Sequence, residues 1–191
     1  MLILENKEEA NYEEFFENND MSFPDYEGFS ENNEFGNRQN PLYGVVYRNI
    51  TDIPGFEQWK RYGGKIMDDY EVHRFGLSLG ENNNGDIVFI FYEFEYIKGT
   101  WISESKILDT INIGKLKEPQ TPMFYGFLSK ETGDGDAEVF GIITQEETVD
   151  HVIYGEIVRA WRADMNTGRI IPIDINGIDY MSDFGRRLIK R

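Results

Sequence analysis

Hydrophobic and polar positions alternate most clearly in the middle of the chain. From Asp86 to Ile97, Val88, Ile90, Tyr92, Phe94 and Tyr96 fall on one side of an extended strand, and Ile87, Phe89, Phe91, Glu93 and Glu95 on the other. The first half of this strand is apolar on both sides, which predicts a central place in a sheet. Its second half is expected to emerge into solvent on the glutamate side. Glu71 to Leu79 precedes it across the turn-rich GENNNG segment, Gly80 to Gly85, so the pair reads as an antiparallel hairpin.

Leu42 to Ile50 is β-branched and aromatic and predicts another strand. Asp52, Pro54 and Gly63 bracket a segment in which Ile53, Phe56 and Trp59 share a helical face, and this predicts a short helix over 53–62. Residues 103–113 fit a second helix, entered at Ser103 and stopped by Gly114, through Ile107, Leu108 and Ile111. The same residues also fit a strand. Together these elements give strand, helix, strand, strand, helix, strand over 42–129, the order of a ferredoxin-like sandwich. Two further hairpins are expected. One joins Met123–Ser129 to Glu138–Thr144, and the other joins Ile157–Asp164 to Arg169–Ile175 across MNTG. The predicted class is α+β, predominantly antiparallel sheet with two or three short helices.

Charge divides the chain differently. Of the formal net charge of −16, residues 1–40 hold eleven acids against Lys7 and Arg38, a net of −9, which leaves −7 to the other 151 residues. That stretch also has eight asparagines and seven aromatic rings among Tyr12, Phe15, Phe16, Phe23, Tyr26, Phe29 and Phe35. It reads as a partly ordered acidic arm, with a first helix over Glu5 to Asn18 that puts Tyr12, Phe15 and Phe16 on one face. Residues 41–191 read as one domain with a short basic tail, four of its last six residues being Arg or Lys.

Composition removes several kinds of chemistry. Without cysteine there is no disulfide framework and no thiolate site, and nothing calls for an oxidising compartment. Met1 to Leu4 is apolar but runs directly into Glu5, too short for a signal peptide. The longest apolar run, Ile87 to Tyr92, is about a third of a membrane span. The expectation is a cytoplasmic protein. Surplus negative charge repels nucleic-acid phosphate and anionic lipid, so direct binding to either is not expected, and a basic protein partner is.

No nucleophile elbow, phosphate loop or dinucleotide fingerprint occurs, and no cofactor is expected. The acid-rich turn at Glu131, Asp134, Asp136 and Glu138 raises the question of calcium, but it lacks the EF-hand pattern, and hairpin turns select Asp and Gly for backbone reasons. No metal site is assigned. The expected function is therefore a non-catalytic acidic protein-binding module, of the physical type found in nuclease inhibitors, immunity proteins and nucleic-acid mimics. Its interface candidates are Tyr12, Glu13, Phe15 and Phe16 in the arm and Glu93 and Glu95 on the sheet. The alternative is a small-molecule-binding or enzymatic domain whose site is assembled from His73, His151 and Glu93.

Overall fold

A computed structural model describes residues 36–67, 75–96, 103–149 and 152–182. Eleven strands occur among them: β1 Val46–Tyr47, β2 Lys60–Ile66, β3 Phe75–Glu81, β4 Asp86–Tyr96, β5 Ser103–Lys115, β6 Gln120–Met123, β7 Phe127–Ser129, β8 Val139–Val149, β9 Val152–Asp164, β10 Arg169–Pro172 and β11 Ile178–Ser182. The described helical segments are single 3-10 turns at Ile50–Asp52 and Ile175–Gly177. The protein is thus an antiparallel β protein, which corrects the α+β expectation and the ferredoxin-like order with it.

Both expected helices within the described residues fail for local reasons. In 53–62, Phe56 N–H donates to Ile53 O and Trp59 N–H to Phe56 O, so the three-residue spacing comes from two successive turns, the first of which contains Gly55 at φ +84°. No α-helix passes through a positive φ. The segment still buries Ile53 and stacks Phe56 on Trp59 at 4.7 Å, as the shared face requires. Asp52 closes the preceding turn, accepting from Asn49 N–H at 2.7 Å.

In 103–113 the helical spacing is produced by a β-bulge. Tyr92 stands opposite Ile107 and Phe91 opposite Asp109, which leaves Leu108 as the extra residue. Leu108 and Ile111 therefore reach the same side of a strand although three positions apart. The first expected helix, over 5–18, lies outside the described residues.

The strands form two sheets, ordered β1-β5-β4-β3-β2 and β6-β8-β9-β11-β7, with β10 paired to β9. The expected β3–β4 hairpin forms with Glu81 opposite Ile87, and Asn82 Oδ1 accepts from the N–H groups of Asn84 and Asp86 inside the turn. The β9–β10 hairpin also forms. The expected pairing of 123–129 with 138–144 survives only at Met123, opposite Gly141. There β8 pairs with β6 and β9, while β7 crosses to β11.

Strand β4 is the third of five in its sheet and is buried on both sides, as its pattern predicts. Ile87, Phe89 and Phe91 join Leu77 and Leu79 against Phe140, Ile142, Trp161 and Ala163 of the other sheet. Phe89 and Phe140 meet at 4.6 Å, and each fully buried ring contributes roughly 2–3 kcal/mol. Val88, Ile90, Tyr92 and Phe94 face the opposite way, under Tyr47, Ile50 and Ile53 of the chain leading into β2. A third cluster, with Phe127, Val139, Ile143 and Tyr180, fills the outer side of the second sheet, where β7 and β11 curl over it.

Residues 36–40 belong to this body by hydrogen bonding. Gly36 N–H donates to Thr167 O at 2.6 Å and Asn37 N–H to Leu108 O at 3.0 Å.

Candidate interaction surface

Three charged side chains are buried in the described fold, Lys65, Asp109 and Glu93, and each finds a partner within it. Lys65 projects from β2 toward the second sheet and is 4% exposed. Its Nζ donates to the carbonyl oxygens of Phe124 at 2.8 Å, Val139 at 3.0 Å and Ala137. Three acceptors match the three hydrogens of an ammonium group. Burial pushes the amine down to about 7, while the nearby Asp136 and Glu138 carboxylates pull it up. Those two carboxylates also hold Arg162, whose Nη1 donates to Glu138 Oε2 at 2.7 Å and whose Nη2 donates to Asp136. Burial opposes the charge of Arg162, but these two partners raise its pKa further. Two of the acids in the turn considered for calcium are thus spent on Arg162. Among the described residues no three His, Asp or Glu side chains gather to hold an ion.

Asp109 in β5 is the second buried charge. Its Oδ1 accepts from Asn37 Nδ2, Asn40 Nδ2 and the Thr110 N–H, and its Oδ2 accepts from the Ile170 N–H of β10 at 2.9 Å. Four donors on one carboxylate tie the segment around residues 36–40 to both sheets.

The third is Glu93, expected at the surface. It is 3% exposed and pairs with Lys106 of β5 at 3.2 Å. The emergence into solvent read from the alternation fails here because the neighbouring strand supplies a cation directly opposite, in register. Glu95 stands opposite Glu104 in the same ladder, and Glu104 is held by Arg48 at 2.8 Å. The remaining candidates, Tyr12, Glu13, Phe15, Phe16, His73 and His151, lie outside the described residues, as do Trp101 and the basic tail.

Arg159 lies 5.4 Å over the Trp161 ring, and Trp161 is core. Burial raises the Tyr47 hydroxyl above its ordinary range, Tyr92 adding to this while hydrogen bonds with Ser78 and Ser105 work against it. The first lays an exposed guanidinium against a core ring, and the second is interior packing.

Two groups of exposed residues are brought together by the fold. Glu131 and Asp134, after β7, and Asp174 and Asp179, around the second 3-10 turn, are all exposed. Their segments adjoin through Lys130 N–H donating to Gly177 O at 3.0 Å and through Ile178 paired with Ser129. Lys130 pairs with Asp179 at 3.4 Å, and a surface pair of this kind contributes about 0–1 kcal/mol. The second group is apolar: Tyr62 and Ile66 on β2 and Tyr125 beside Lys65 are exposed at 62%, 48% and 46%. Sequence reasoning singled out neither group as an interface. The first needs the β7–β11 pairing to bring its halves together, and KRYGGKI by itself does not say which of its side chains turn outward.

The fold and these sites define an antiparallel β protein of two packed sheets whose described buried charges are used internally. No protein-family model, curated protein or solved structure matches the chain. Among the described residues no helix is long and apolar enough to cross a membrane.

Proposed function

We propose that this protein is a non-catalytic binding module that acts on a basic protein surface and works in the cytoplasm. The observation that carries the reading is the pairing of two segments that present Glu131, Asp134, Asp174 and Asp179 together at one end of the second sheet. Two of the buried charged groups, by contrast, have their bonding capacity occupied: Lys65 by three carbonyls and Asp109 by four donors. Clustered exposed carboxylates on a chain of net charge −16 speed encounter with a cationic partner and disfavour acidic ones. A cysteine-free chain is at home in a reducing compartment.

The test is affinity capture from host extract at graded salt, wild type beside the variant Glu131→Lys/Asp134→Lys/Asp174→Lys/Asp179→Lys. Wild type should retain a defined basic protein that elutes as salt rises, and the variant should lose it. Equal retention by the variant, or no salt-sensitive partner at low ionic strength, overturns the reading. Thermal stabilisation of the chain by a metabolite would favour a ligand-binding domain instead.

A further inference from the structure

The outer strand of the first sheet combines features that the acidic surface does not use. Among the described residues β2 is the last strand of its sheet, paired to β3 on one side only. A last strand presents a row of backbone donors and acceptors to whatever lies beside it. Seven residues long, it reads KRYGGKI, with Lys60, Arg61, Tyr62 and Ile66 exposed. Gly63 and Gly64 carry no side chain of their own, and the Arg61 guanidinium lies beside them with its Nε 3.5 Å from the Gly63 carbonyl oxygen.

The strand is also held firmly. Lys65 anchors it to the second sheet through the carbonyl oxygens of Phe124, Ala137 and Val139. A strand fixed before binding loses little further freedom when another strand adds to it.

We infer that β2 accepts an extended acidic segment of a partner protein as an added strand. Backbone hydrogen bonds along β2 supply the pairing, Tyr62 and Ile66 supply apolar contacts, and Lys60 and Arg61 select acidic side chains. The choice of occupant follows from charge. A second copy of β2 brings two more exposed cations to the same short edge, where like charges repel. An acidic strand meets complementary charge there. This surface is separate from the carboxylates of the proposed function, so each stands or falls on its own variants.

The experiment is panning of a random dodecapeptide display library on the full chain. The selected peptides are then synthesised, titrated, and mapped by amide hydrogen exchange. Acidic peptides with alternating apolar residues should dominate, and they should slow exchange within 60–66. Lys60→Glu/Arg61→Glu should weaken them roughly tenfold, and Tyr62→Ala about thirtyfold if that ring is the anchor. These side chains are exposed, so the variants should keep the wild-type thermal midpoint. Lys60→Glu alone serves as the milder change if the double variant does not fold. Failure to select any peptide, selection of basic or neutral ones, protection mapping away from β2, undiminished binding to the charge-reversed variants, or a dimer joined through β2 overturns the inference.

Discussion

The Nζ of Lys65 lies 2.8 Å from the carbonyl oxygen of Phe124, which bonds the outer strand of one sheet to the connection between β6 and β7 of the other. Ala137 and Val139 complete the set from the start of β8. One side chain thus closes a corner of the sandwich.

Lys65→Met removes the donor from three carbonyls while keeping the side chain's length. The expected cost is about 3 kcal/mol in urea unfolding, from buried acceptors left without a partner. The pH dependence gives a second readout. With the folded amine near 7 and the unfolded one at its ordinary 10.5, the unfolded chain binds more protons between those values. Lys65 therefore makes stability rise with pH from about 7 toward 10, and its contribution is constant below that window. The difference between wild-type and Lys65→Met stability should grow in the wild type's favour across the window. Parallel curves would exclude a lowered Lys65.

Glu93 and Lys106 make a buried pair whose halves depend on one another. Lys106→Met leaves a buried carboxylate without its cation and should cost about 3 kcal/mol, whereas Glu93→Leu/Lys106→Met should cost less than that single change. Chemical denaturation of both variants measures the coupling. A double variant as damaged as the sum of its parts would mean that the pair is solvated.

Asp109→Asn replaces one acceptor oxygen with an amide nitrogen facing donors from Asn37, Asn40 and the Thr110 and Ile170 N–H groups. A loss of about 2 kcal/mol is expected, together with faster hydrogen exchange at the Ile170 amide, or at Thr110 if the side chain flips. Unchanged exchange at both would show that the carboxylate does not join the segment around residues 36–40 to β10.

The β3–β4 hairpin and the central place of β4 are legible in the amino-acid order, because both rest on residues adjacent along the chain. Alternation assigns sides within a strand, and Asn and Gly close a turn through their own backbone. The same local logic misleads at two places. Leu108 and Ile111 reach one side of β5 through a bulge, and Phe56 and Trp59 follow Ile53 through consecutive turns. Each mimics helical spacing without a helix.

Amino-acid order alone thus determined an acidic, cysteine-free chain rich in strands, its sharpest hairpin, and the two-sided burial of Ile87 to Phe91. Only the tertiary structure decided that β7 pairs with β11, that Glu93 is buried against Lys106, and that Lys65 turns inward. The acceptors for Lys65 lie 59, 72 and 74 residues away along the chain. A charged side chain enters the interior only where distant segments assemble its partners, and strand order is set by which apolar sides can be covered at once. Neither condition is written in any local window of residues.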